Sequence, residues 1–162
     1  LNQLKKKINN VDPDGKIIKY IGFVSHDELP SHYFSSNIFL FASSCENMPI
    51  TLMEGMASGV PIVCSDRAPM QEVLEDAGEY FDPENADSIA LAIQTLIESP
   101  ELRAKKAKMA FEQAQRFSWS RCSTETFSFL SKILDDYKNI TLRENRHTKV
   151  CCHEGRGGRV RL

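Results

Sequence analysis

Two glutamates could do chemistry together in residues 43–65, SSCENMPITLMEGMASGVPIVCS. Glu46 lies in a polar loop behind an apolar run, and Glu54 lies eight residues further on. Pro49 suits the first turn of a helix, which puts Glu54 about a turn and a half into it. The first N–H groups of that helix have no intrahelical acceptor, and with the helix dipole they form an anion site around residues 47–51. A diphosphate fits such a cradle. Carboxylates beside a diphosphate would repel it, so Glu46 and Glu54 suit hydrogen bonds from sugar hydroxyls instead. The combination implies a nucleotide-sugar site. Two glutamates at this spacing, taken alone, are ordinary solvated surface. Leu52, Met53 and Met56 read as core, and Gly55 and Gly59 as allowing close helix–sheet packing.

The elements around this stretch alternate. Leu1, Leu4 and Ile8 have helical spacing. Asp12-Pro13-Asp14-Gly15 is a turn. Residues 16–24 (KIIKYIGFV) read as a strand, and Ser25 with Glu28 as a capping box opening a short helix to about residue 36. Residues 37–42 (NIFLFA) form a continuous apolar run, as in a strand buried on both faces. The helix from Pro49 stops at Gly59, a left-handed C-cap. Strands follow at 60–65 and 78–81, with a helical turn at 71–74 between them. Helices are expected at 86–98, 100–115 and 119–138. This order predicts an α/β fold, a Rossmann-like parallel sheet with helices on both faces. Such sheets bind ligands beyond the carboxyl ends of their strands, where the Glu46 loop begins.

The chain has 162 residues, 41% of them hydrophobic and 26% charged, as in a globular domain with a core of its own. The net charge of −2 argues against a dedicated nucleic-acid binder. Residues 138–162 hold seven Lys/Arg against two Asp/Glu, which leaves thirteen bases and twenty acids elsewhere. Residues 139–162 therefore read as a basic, disordered tail, whose charge also suits an anionic membrane surface. No apolar run approaches the ~18 residues of a membrane span. Five cysteines without framework spacing fit a reducing, cytoplasmic setting. Cys151-Cys152-His153 lacks the C-x₂-C spacing of a zinc site, so no metal is expected. Among isolated residues, His26 reads as a helix-start residue, Arg67 as a possible anion contact, and Lys105, Lys106 and Lys108 as a solvated helix face.

The string Ser44, Glu46, Pro49, Leu52, Glu54, Met56, Ala57, Gly59, Pro61 resembles the E-x7-E signature of the retaining GT-B glycosyltransferases of family 4, glycosyl transferases group 1. Gly22-Phe23-Val24, Glu72-Val73, Gly78, Asp82-Pro83 and Phe117-Ser118-Trp119 agree with that pattern. Gly55 departs from it, where alanine is commoner, and so does Asn47-Met48, where a Gly-Phe-Gly loop is frequent.

The resemblance implies roles. Glu46, the catalytic-site carboxylate, would hold donor-sugar hydroxyls, and Glu54 the ribose. Backbone amides of Asn47 and Met48 would meet the sugar, and those of Ile50, Thr51 and Leu52 the diphosphate. Gly22, Phe23 and Val24 would lie beside the nucleobase. The donor would be a nucleoside-diphosphate sugar, with no cofactor and no metal. Its sugar would pass with retention to a carbohydrate or glycolipid hydroxyl held by a separate N-terminal domain, in the cytoplasm or at the inner membrane face. Residues 1–138 would be part of the C-terminal, donor-binding domain of a GT-B fold, inactive alone. The alternatives are a non-catalytic nucleotide-sugar-binding module and an inactive truncated fragment.

Overall fold

A computed structural model describes residues 2–151, and the side chains of 2–140. The chain divides into two units, Leu1–Ala114 and Gln115–Leu162. The first opens with helix α1 (Asn2–Val11). A turn follows in which the buried Asp12 carboxylate accepts from the backbone N–H groups of Lys16, Ile17 and Ile18, at 3.0, 2.7 and 2.6 Å. Helix α2 (Leu29–Phe34) precedes strand β1 (Phe39–Phe41). Helix α3 (Ile50–Ala57), strand β2 (Ile62–Ser65), helix α4 (Met70–Leu74), a 3-10 turn at Glu75–Ala77 and strand β3 (Gly78–Phe81) come next. Helices α5 (Ala86–Glu98) and α6 (Pro100–Ala114) close the unit. The second unit contains helix α7 (Trp119–Cys151).

The sheet is parallel, in the order β1-β2-β3, with Phe39 opposite Ile62 and Ile62 opposite Gly78. Central strand β2 is buried at all four positions. Successive side chains of a strand point to opposite faces, and the packing follows. Ile62 and Cys64 join Leu52, Met56, Met70, Leu74 and Ala110 on one face. Val63 joins Phe81, Ala92 and Leu96 on the other. Helices α3, α4 and α6 thus supply one layer and α5 the other, which is the expected Rossmann-like α/β arrangement.

Helix boundaries follow local chemistry. Gly59, at φ 69°, takes the left-handed position that ends α3. Asn85 caps α5 by accepting from the N–H groups of Asp87 and Ser88. The Lys106 ammonium, expected to be solvated, instead donates to the Asp76 and Gly78 carbonyls, each at 2.9 Å, and pairs with Glu79 at 3.0 Å. It fastens α6 to the start of β3.

Four expectations need correction. Residues 16–24 form no strand. Gly22 has φ 82°, which interrupts an extended run, and the first amides of the segment bond to Asp12 instead of a neighbouring strand. Ile17 and Phe23 are 85% and 96% exposed. Strand β1 is an edge among the described residues, so Leu40 is 42% exposed where burial on both faces was expected. Glu28 does reach back to Ser25, but the Ser25 hydroxyl donates to Glu28 at 2.8 Å and caps nothing. Helix α7 runs to Cys151, past the expected end at residue 138 and into the expected tail. Residues 139–151 contain neither glycine nor proline to stop it. Residues 152–162 of that tail, with the Cys152-His153 pair, lie outside the described residues.

Gly55 packs against the Phe39 ring so closely that a Cβ there would stand 2.5 Å from Phe39 Cδ1. Alanine favours a helix interior over glycine by about 1 kcal/mol, whereas overpacking a filled site costs about 1–3 kcal/mol. The ring is rigid and contacts Tyr33 and Phe41, so overpacking wins. Gly55→Ala is expected to lower the melting temperature, and Phe39→Leu in the same chain to restore most of the loss. A more stable single variant would contradict the packing.

The three amide donors hold the Asp12 carboxyl below the ordinary carboxylate range. The folded chain therefore binds fewer protons at this group than the unfolded chain. Its stabilisation is present above the unfolded value of about 3.9 and is lost as pH falls through the lower folded value. A carboxyl-carbon NMR titration is expected to put the Asp12 midpoint below the unfolded value of about 3.9, and a midpoint above it would overturn the account.

Candidate functional site

The loop after β1 and the N-terminus of α3 bring most of the expected site residues together. Pro49 is fully buried and precedes α3, and Leu52 is 0% exposed, so this first turn is anchored in the core. Asn47, Met48, Ile50 and Thr51 stay exposed around it. Leu52 can therefore offer a ligand only its backbone.

The amide count at this helix end differs from the sequence expectation. The Ile50 N–H donates to the Met48 carbonyl at 2.9 Å, which closes the loop and uses one expected anion donor. The Met53 N–H donates to the Pro49 carbonyl at 3.1 Å. Between them, the N–H groups of Thr51 and Leu52 have no backbone acceptor among the described residues. These two remain available to an anion.

Glu46 is half-buried in the loop, and its carboxylate accepts no hydrogen bond among the described residues. Glu54 has a side chain 30% exposed and a defined setting. The Tyr33 hydroxyl of α2 donates to Glu54 Oε2 at 3.3 Å. His26 Nδ1 stands 4.0 Å from Glu54 Oε1. This contact brings the segment of Gly22, Phe23 and Val24 to within a few residues of the Glu54 carboxylate, as a loop and not as the expected strand. Burial and the neighbouring Glu54 charge push the Tyr33 hydroxyl up to about 12, so it remains a donor at neutral pH.

Tyr33 is the site residue that sequence reasoning missed. No spacing rule links residue 33 to residue 54, because they meet only when α2 and α3 pack beside β1. Arg67, by contrast, is engaged elsewhere. Its guanidinium bridges Asp66 and Asp82, each at 2.8 Å, beyond the carboxyl ends of β2 and β3. Among the described residues, no group of three or more His, Cys, Asp or Glu side chains could hold a metal ion.

Residues 1–113 match the model of the family described as glycosyl transferases group 1. The chain belongs to this family. Its sequence is 33% identical over 111 residues to O-antigen chain mannosyltransferase B of Escherichia coli, covering 68% of this chain and 29% of that enzyme. Among solved structures, the C-terminal domain of a glycosyl transferase group 1 protein from Francisella tularensis matches at TM-score 0.62 and 27% identity, over 71% of this chain and 60% of that one. Anabaena HepE, solved with UDP and glucose, matches at TM-score 0.72 and 23% identity, over 81% of this chain and 36% of that one. The chain thus spans under a third of the mannosyltransferase's length. The likenesses fit part of a Rossmann-like domain of a GT-B glycosyltransferase. No helix among the described residues is long and apolar enough to cross a membrane.

In this group 1 chain, Cys45 adjoins Glu46 and is exposed, whereas Cys64 is buried in β2. Burial pushes the Cys64 thiol up to about 12, which suppresses the reactive thiolate. Iodoacetamide on the native chain is expected to modify Cys45 and Cys122 and to spare Cys64 until denaturant is added. Peptide mapping reads the result, and early labelling of Cys64 would contradict the core.

Proposed function

We propose that this chain is the donor-binding part of a retaining glycosyltransferase of family 4, taking a nucleoside-diphosphate sugar. The observation that carries the reading is the pair of N–H groups, Thr51 and Leu52, that have no backbone acceptor among the described residues, with Glu46 in the loop before them and Glu54 just after them on the helix. The two N–H groups and the α3 dipole receive the diphosphate, and their effect grows as charge develops on it. Glu46 accepts from hydroxyls of the donor sugar and orients the anomeric carbon. Glu54 accepts from the ribose, while Gly22, Phe23 and Val24 flank the base. The amides of Asn47 and Met48 approach the sugar.

In the reaction, the acceptor oxygen bonds the anomeric carbon and gives up its proton, while the bond to the diphosphate breaks and the diphosphate leaves with the electron pair. The acceptor is a carbohydrate or glycolipid hydroxyl, and we assign no residue of this chain to its deprotonation. HepE was solved with UDP and glucose, which supports a nucleotide-sugar donor here. The basic charge past residue 138 supports contact with the inner face of a membrane. A second reading, nucleotide-sugar binding without catalysis by this chain, is supported by Ile17, Phe23 and Leu40, apolar side chains that stay exposed in the described structure.

Ligand-observed NMR with UDP-, GDP- and ADP-sugars separates these ideas from a chain that binds nothing. Saturation transfer to the ribose protons of one nucleotide is expected, and Glu54→Gln is expected to weaken it about tenfold. No transfer from a folded chain, or equal transfer in the variant, would reject the donor site as drawn.

A further inference from the structure

Glu54 sits on a helix with three side-chain torsions of its own, so something must hold its carboxylate if it is to meet two ribose hydroxyls. The side chain that contacts it through a hydrogen bond is Tyr33, from α2. Tyr33 is itself seated. Its ring meets the Phe39 ring edge-on, with centroids 5.3 Å apart and planes at 86°. Phe39 in turn lies over Gly55, in the space that a Cβ would fill. Gly55 is the residue next to Glu54 and one of the departures from the family pattern. The departure, the two rings and the carboxylate form one contact chain.

We propose that Tyr33 is a positioning residue: seated on Phe39 over Gly55, its hydroxyl holds one oxygen of Glu54 so that the carboxylate presents its remaining lone pairs to the ribose. The inference rests on the reading of Glu54 as the ribose-binding group and adds the residue that acts through it. The chemistry suffices for both contacts. An ionised carboxylate has about four acceptor positions, and Tyr33 occupies one of them. A tyrosine ring has few torsions, so its hydroxyl is fixed at little entropic cost. The hydroxyl is protonated at neutral pH and therefore always donates.

The test uses the 162-residue chain, Tyr33→Phe and Glu54→Gln. Tyr33→Phe keeps the ring and its contact with Phe39 and removes only the hydroxyl. Dissociation constants are measured for the tightest-bound of UDP, GDP and ADP and for its 2′,3′-dideoxy analogue, which lacks the hydroxyls that Glu54 would meet. The parent is expected to prefer the ribonucleotide. Tyr33→Phe is expected to reduce that preference about three- to tenfold, with dideoxynucleotide affinity and melting temperature unchanged. Full preference in Tyr33→Phe, together with its loss in Glu54→Gln, overturns the positioning role and leaves the ribose reading standing. Equal weakening of both nucleotides by Tyr33→Phe also overturns it, since a merely structural role predicts that result. Full preference in Glu54→Gln, or no nucleotide binding by the folded parent, overturns the ribose reading itself, and the positioning role falls with it.

Discussion

A parallel strand with no polar face has to be covered on both sides, and β2 imposes that requirement on the first unit. Its four residues are buried, its backbone bonds to β1 and β3, and its side chains feed two separate cores. The chain meets the requirement by sending α3, α4 and α6 to one face and α5 to the other. The site is a by-product of this arrangement. To cover β2, α3 must start just beyond the carboxyl end of β1, and its unbonded N–H groups then open there. Pro49 and Leu52, both buried, fix the first turn in the core, so the amides of Thr51 and Leu52 are held in place before any ligand arrives.

Close approach between α3 and β1 has a further consequence. A helix packed on a strand usually keeps the distance set by its side chains, but at Gly55 there is none. The Phe39 ring occupies that space. The same ring meets the Tyr33 ring edge-on, and the Tyr33 hydroxyl reaches Glu54. Packing and the proposed recognition group are therefore joined by contact. The contact that a Gly55→Ala change would strain is the one beneath the group assigned to the ribose.

The parts of this arrangement that depend on local sequence were legible in it. The helix from Pro49 to Gly59 declares both its ends, one by proline and one by a glycine able to adopt positive φ. The buried run around Ile62 and Val63 marks a central strand. Glu46 falls in the loop and Glu54 inside the helix, where the sequence placed them. What depends on tertiary partners was not legible. Residues 16–24 have strand composition, yet a strand exists only beside another, and Asp12 takes their first amides. Lys106 looked like one of three solvated lysines until the 3-10 turn and β3 each supplied a carbonyl. Tyr33 gave no signal, since its meaning lies in residues 39, 54 and 55, which surround it only after folding.

The electrostatics of the site explain why the aim of Glu54 matters. A helix N-terminus contributes roughly half a positive charge, and one of the α3 donors, Ile50 N–H, is already bonded to Met48. Arg67, read in the sequence as one candidate anion contact, is paired with Asp66 and Asp82. Against a diphosphate of about two negative charges, with Glu54 and Glu46 close by, these described groups supply little net attraction. On the proposed reading, discrimination then comes from directional hydrogen bonds to hydroxyls, where a carboxylate acceptor is worth roughly twice a neutral one. Such bonds weaken steeply with misalignment. A site that relies on them gains more from a fixed carboxylate than from another charge, which is the role proposed for the Gly55–Phe39–Tyr33 seat.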